Sequence, residues 1–267
     1  MKKIFLSALV FFYILAMNGC TKKEETLTLK LDYSSEDQWY YTIEYKSQGL
    51  FTQGDSTTQL TNGISCRLSG STAVAGKLTV KTENIVVTSD MLNDEETQQL
   101  TEKLSKANYK LNLVDGQPSI DTTAELPAGS LPEWDIYTQL AKLLPTLPDK
   151  PILPGFTWER TATLPITTTQ GTVPCEVYRY YTFDTLSANV ATITWKFRYS
   201  AEEEALDTSN IMKQIPVAGN GTGSAQIDVI NKVILQAEME FKTPVATVGA
   251  VTVTWQENAV LKHESGE

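Results

Sequence analysis

An alternation of period two recurs through the C-terminal part of the chain and restricts the fold more than any other feature. Ile193, Trp195, Phe197 and Tyr199 alternate with Thr194, Lys196 and Arg198. Leu235, Ala237, Met239 and Phe241 alternate with Gln236, Glu238 and Glu240, and Val251, Val253 and Trp255 with Thr252, Thr254 and Gln256. Successive side chains of a strand point to opposite faces, so this pattern makes one face apolar and the other polar, as in antiparallel sheets wet on one side. Phe156–Leu164 and the tyrosine-dense Val177–Phe183 add two further strands. The stretch 228–233 reads as a turn, which makes the region a meander.

The N-terminal half starts with the same period. Trp39, Tyr41, Ile43 and Tyr45 alternate with Tyr40, Thr42, Glu44 and Lys46, and strands follow over Thr57–Leu68 and Lys77–Thr88, with Gly70 and Gly76 read as turns. Then the period lengthens. Asn93 and Glu96 have the spacing of a capping box, and Thr97, Leu100, Leu104 and Ala107 share one helical face, predicting a helix over Asp94–Ala107. Tyr109–Val114 and Gln117–Asp121 flank Asp115-Gly116, a hairpin signal. A second helix is predicted over Ser130–Leu144, stopped by Pro145 and apolar around most of its circumference, hence deeply packed. Leu144–Gly155 holds four of the eleven prolines and reads as a stiff crossover. The expected organisation is an N-terminal half of sheet with two helices (28–144), a Pro-rich crossover (145–155) and a C-terminal antiparallel sheet (156–263), in one continuous domain from 28 to 263. The fold class is mainly β with two helices (α+β), a long, curved, half-barrel-like antiparallel sheet wrapped around the helices. The alternative is two β-sandwich domains divided near Pro151.

Residues 1–19 have the layout of a signal peptide: Lys2 and Lys3, an apolar run from Ile4 to Met17, and Gly19 before Cys20. At about 1.5 Å per residue the run spans roughly 21 Å, short of a hydrocarbon core of roughly 30 Å. In these residues the chain resembles bacterial lipoproteins, and the resemblance implies acylation of Cys20, which becomes the new N-terminus of a lipidated tether (20–27). Lys22, Lys23, Glu24 and Glu25 resemble the export tag of Bacteroidetes-type surface lipoproteins, which implies an outer-membrane address with display at the cell surface. The run LPTLPDKPILPGFTW resembles one found in functionally uncharacterised bacterial lipoproteins, and the element order is similar in outline to half-barrel lipoprotein carriers. Without residues 1–19 the chain has 20 Lys+Arg against 32 Asp+Glu, a net charge of −12. That sign, with no basic cluster, argues against nucleic acid as a partner. The membrane is contacted through the lipid anchor only.

The inventory of chemistry is thin. His263 is the only histidine, which leaves neither a histidine-built zinc site nor a credible Ser-His-Asp arrangement, and no cofactor is expected. Cys66 and Cys175 remain once Cys20 is acylated, either as a disulfide joining the two halves or as two buried thiols. Gly219-Asn-Gly-Thr-Gly223 is followed by strand rather than helix, so it reads as a flexible loop or a close backbone passage, not a phosphate cradle. Glu202, Glu203, Glu204 and Asp207 read as a solvated acidic loop.

Aromatic residues are the remaining lead. Trp39, Tyr40 and Tyr41, then Tyr178, Tyr180 and Tyr181, put rings on both faces of their strands, so one face could present them to a ligand. The expectation is a non-catalytic lipoprotein binding a protein or glycan partner. The alternatives are a carrier or sensor of a hydrophobic ligand or lipid in a half-barrel cavity, and a carboxylate-dependent hydrolase.

Overall fold

In a computed structural model, the structure describes residues 26–33, 38–74, 77–106, 108–114, 117–119, 135–168, 171–201, 218–243, 245–248 and 250–264. Three long strands open the fold: β1 (Gln38–Gln53), β2 (Ser56–Val74) and β3 (Lys77–Ser89). Helix α1 (Asp94–Leu104) follows, then β4 (Asn108–Val114), β5 (Gln117–Ser119) and helix α2 (Ile136–Leu143). The C-terminal part supplies β6 (Thr157–Thr168), β7 (Gly171–Ser187), β8 (Val190–Ala201), β9 (Gly219–Asp228), β10 (Val233–Lys242), β11 (Ala246–Val248) and β12 (Val251–His263).

All twelve strands belong to one antiparallel sheet in the order β5-β4-β3-β2-β1-β12-β10-β9-β8-β7-β6, with β11 added on β12. The first and last long strands pair over thirteen residues, from Tyr41↔His263 to Gln53↔Val251, and join the two halves of the chain. That pairing rules out the alternative of two β-sandwiches. The sheet is open and curved. Its edges, β5 and β6, are neighbours in sequence, so the segment between them must carry the chain from one edge to the other, and α2 lies on that path against β10, β12 and β6.

The period-two reading accounts for the buried face. Trp39, Tyr41, Ile43 and Tyr45 of β1, Val177, Tyr181 and Phe183 of β7, and Ile193, Trp195, Phe197 and Tyr199 of β8 all point inward. Against them pack Ile136, Leu140 and Leu143 of α2, Leu147 and Ile152 of the Pro-rich run, and Leu29, Leu31 and Tyr33 ahead of β1. Leu27 pairs with Ile152 as an isolated bridge, which ties the start of the described chain to the crossover. The rings of Trp158 and Tyr181 stack at 5.0 Å, and Trp158 Nε1 donates to the Thr146 carbonyl at 2.9 Å.

The capping box of α1 forms as its spacing predicts: Glu96 N donates to Asn93 Oδ1 and Asn93 N to Glu96 Oε2, both at 2.9 Å. The helix stops at Leu104, short of the predicted Ala107, which lies outside the described residues. Residues 130–134 of the predicted second helix also lie outside them. In α2 itself Thr138, Gln139 and Lys142 are buried along with the apolar positions.

Two glycine readings are corrected. Gly70 is not a turn but an interior residue of β2, directly opposite Trp39, whose indole occupies the space a Cβ would need. Gly219, Gly221 and Gly223 form the start of strand β9 rather than a flexible loop, and rings of Phe241, Phe197 and Trp195 lie over them. Inward glycines leave room for these large rings on neighbouring strands.

Cys66 on β2 and Cys175 on β7 are free, buried thiols, so the disulfide alternative does not hold. Six strand spacings of about 4.8 Å lie between their strands along the sheet, whereas a disulfide needs Cα atoms within about 7 Å. Burial pushes the Cys66 thiol up to about 12. It pushes Cys175 up to about 11, partly offset by a hydrogen bond from the Ser200 backbone and by the charge of Lys142.

Candidate functional site

The six aromatic residues marked in the sequence divide between the two faces. Trp39, Tyr41 and Tyr181 are core residues. Tyr40 faces outward, with the Arg67 guanidinium 4.0 Å from its ring centroid. Tyr178 and Tyr180 also face outward and are 44 % and 45 % exposed, two rings on one face of β7 with no apolar cover. Large rings left in water at adjacent same-face positions are where a ligand-binding surface is expected.

These two tyrosines form one wall of a groove of about 800 Å³ across the outer face of β6–β10. A strongly twisted sheet is saddle-shaped, so its outer face can also be concave along one diagonal. The register fixes which side chains meet there. One row across the strands runs Thr161, Tyr178, Arg198, Asn220, Lys242. The next runs Glu159, Tyr180, Lys196, Thr222, Glu240. Asn220 and Thr222, between the glycines of β9, are the short side chains of the floor. The groove continues into a second hollow of about 590 Å³ that shares Tyr180, Lys196, Thr222 and Glu240 with the first and reaches Asn258 on β12.

The polar groups of the groove are unequally engaged. Glu240 Oε1 takes an ion pair from Lys242 Nζ at 2.7 Å and a hydrogen bond from Gln256 Nε2 at 3.1 Å. Tyr178 Oη donates to Glu176 Oε2 at 2.7 Å, and that bond, with the carboxylate's charge, raises the tyrosine's pKa. Ser224 Oγ donates to Glu238 Oε1 at 3.0 Å. Lys196 and Arg198 are in no ion pair among the described residues. Sequence reasoning found Tyr178 and Tyr180 but not their neighbours. Lys196 and Arg198 were visible as the polar half of the β8 alternation, but only the pairing Tyr178↔Arg198 and Tyr180↔Lys196 brings them to the rings.

The concave face has a different character. Lys142 Nζ of α2 reaches Glu257 Oε2 of β12 at 2.5 Å, and both side chains are nearly inaccessible to solvent. Arg179 closes the C-terminal end of α2: its guanidinium donates to the Leu144 carbonyl at 3.0 Å, to the Ala141 carbonyl, and to the hydroxyls of Tyr199 at 3.2 Å and Tyr181 at 3.4 Å. Burial alone would loosen its proton, but the neighbouring Tyr199 and Tyr181 outweigh this and move its pKa upward. Between Tyr33, Trp39 and Leu140 the described residues leave a cavity of about 20 Å³. His263 ends β12, its ring 5.0 Å from that of Tyr41. Among the described residues no helix is long and apolar enough to cross a membrane.

No protein-family model matches the chain, and no curated protein matches it either. Among solved structures, one titled "Lipid-protein interactions in lipovitellin" aligns with 86 % of this chain and 25 % of its own, at 9 % identity and a TM-score of 0.44. This chain therefore spans about a quarter of that protein. The crystal structure of Pseudomonas aeruginosa OpdQ aligns with 85 % of this chain and 96 % of its own, at 7 % identity and a TM-score of 0.17. Neither likeness reaches the level of a shared fold.

Proposed function

We propose that this is a non-catalytic lipoprotein of the bacterial outer membrane, displayed at the cell surface and held by acyl chains on Cys20, whose sheet grips a glycan in the outer groove of β6–β10. The observation that carries the binding role is the pair Tyr178 and Tyr180. Two exposed rings line a groove whose floor offers the amide of Asn220 and the hydroxyl of Thr222. Sugar rings present flat C–H faces and a rim of hydroxyls, which suit aromatic faces beside short hydrogen-bonding side chains. A protein partner is the alternative occupant. The groove suits it less, because its two rings stand apart in solvent among charged side chains, whereas protein interfaces centre on a desolvated cluster of anchors. A carrier of hydrophobic ligands would want a hollow of several hundred Å³, and the described residues on the concave side leave about 20 Å³ around Leu140.

The test is a glycan array probed with the full-length protein in detergent, beside a Tyr178→Ala/Tyr180→Ala variant. The expected result is retention by a subset of glycans that falls at least tenfold in the variant, with the melting temperature unchanged. A blank array for the unaltered protein would end the glycan reading. Mass spectrometry of the N-terminal peptide tests the anchor separately: a mature chain beginning anywhere but at an acylated Cys20 removes it.

A further inference from the structure

Arg198 and Lys196 occupy adjacent outward positions on β8, two residues and so about 7 Å apart along the strand. They lie in the middle of the groove: Arg198 is paired in register with Tyr178 and Asn220, and Lys196 with Tyr180 and Thr222. On a chain of net charge −10, with 32 acidic residues, two neighbouring cations would ordinarily be neutralised by nearby carboxylates. Here no carboxylate of the surrounding strands forms an ion pair with either cation among the described residues, and three of them have other partners. Glu240 is held by Lys242 and Gln256, Glu176 by Tyr178, and Glu238 by Ser224. Glu159 stands one strand beyond Tyr180, on the far side of that ring from Lys196. The fold thus holds two like charges side by side with neither in an ion pair among the described residues, although Glu159 and Glu240 line the same groove, an arrangement that repels itself and that an anion bound between the two would relieve.

We infer that the groove selects carboxylate-bearing glycans, a uronic-acid residue lying against Tyr178 and Tyr180 with its carboxylate taken by Arg198 and Lys196. This rests on the glycan reading above and narrows it. The guanidinium of Arg198 offers a planar fork that accepts both oxygens of a carboxylate, and Lys196 adds a mobile point charge beside it. Asn220 and Thr222 remain for the sugar hydroxyls. A neutral glycan would use the rings and the floor but leave both cations uncompensated.

Isothermal titration calorimetry with the full-length protein tests this, using tetragalacturonate and the neutral galactotetraose as probes. The unaltered protein should bind the uronate at least tenfold more tightly, and raising NaCl should erode that margin. Arg198→Gln should remove most of the preference, weakening uronate binding at least tenfold more than it weakens binding of the neutral probe. Lys262→Gln, which removes an exposed cation of β12 outside the groove, should change neither. Tyr180→Ala should weaken both probes. Equal affinity for the two probes, or a preference that survives Arg198→Gln, would overturn the acidic selectivity and leave the glycan reading standing. Binding of neither probe, together with a blank array, would overturn both.

Discussion

Arg179 of β7 donates to the carbonyl of Leu144, 3.0 Å away, and so places a buried cation where α2 leaves its last carbonyls without partners. Helix ends carry such unsatisfied groups and a partial negative charge, both of which a guanidinium answers. The same group reaches the Ala141 carbonyl and the hydroxyls of Tyr181 and Tyr199, so it joins the helix to two strands at once. Arg179→Ala should therefore cost about 3 kcal/mol or more, since it leaves several buried acceptors unmet. Arg179→Lys should recover less than half of this, because a point charge cannot span the same set. Urea unfolding of the two variants checks both values. A loss below about 1 kcal/mol for Arg179→Ala would show that α2 is held mainly by its apolar contacts.

The free thiols give a prediction about alkaline pH. Cys66, with an ordinary value of 9.0, is pushed by burial up to about 12, and Tyr33, with an ordinary value of 10.0, is likewise pushed up to about 12. The unfolded chain releases these protons first, so between about pH 9 and 12 it binds fewer protons than the folded chain, and stability falls as pH rises. For Cys66 the limiting slope is about 1.4 kcal/mol per pH unit. Cys66→Ala should flatten the decline above pH 9 while leaving the curve below pH 8 parallel to that of the unaltered protein. Thiol titration supplies an independent check. At pH 8 the folded protein should match a Cys66→Ala/Cys175→Ala variant, and in guanidinium it should show two thiols more.

How much of this was legible beforehand depends on whether the signal is local. Period two fixed the inward faces of β1, β8 and β12, and of β10 from Ala237 onward, because burial follows strand parity directly; at the start of β10 a bulge between Ile234 and Gln236 breaks that parity, burying Ile234 and leaving Leu235 half-buried. Asn93 with Glu96 fixed the start of α1 because a capping box closes within four residues. Gly70 and the glycines of β9 were misread because their role depends on Trp39, Phe197 and Trp195, which meet them only through strand pairing. The groove was half legible for the same reason: Tyr178 and Tyr180 share a face by spacing alone, while Arg198 and Asn220 join them by register. One signal was present and passed over. Arg179 stands between inward Val177 and Tyr181, Glu257 between inward Trp255 and Ala259, and Lys142 on a helix otherwise ready for burial. Three charged residues at core positions, of both signs, already implied an internal polar network.

The inward glycines should be intolerant in proportion to what lies over them. A Cβ on Gly221 would meet the Phe197 ring and also the Glu240 backbone carbonyl, which cannot swing aside. Gly54, at φ +58° in the β1–β2 turn, has nothing within 4 Å of its Cβ position, so alanine there meets only the penalty of a left-handed backbone. Gly221→Ala should cost about 1–3 kcal/mol as an overpacking defect. Gly54→Ala should cost about 1 kcal/mol, and Gly54→Asn less, since asparagine tolerates that region better. Thermal unfolding of the three variants ranks them, and a Gly221→Ala protein as stable as its parent would mean that β9 can shift away from β10.

The Lys142–Glu257 pair is the sharpest test of how α2 is seated. Its two charges lie 2.5 Å apart with almost no solvent, and the Phe241 ring sits 5.2 Å from the ammonium. Removing either partner alone breaks this contact while the other charge stays buried, which costs about 3–5 kcal/mol. Replacing both with apolar side chains of similar length removes the desolvation cost together with the attraction, and such exchanges are often neutral or stabilising. Lys142→Met and Glu257→Met should each be strongly destabilising, while the double variant should be far less so than the sum of the two, giving a coupling of at least about 2 kcal/mol in a double-mutant cycle. Additive effects in urea unfolding would mean that water reaches the pair and that α2 lies more loosely against β12 than the 2.5 Å contact indicates.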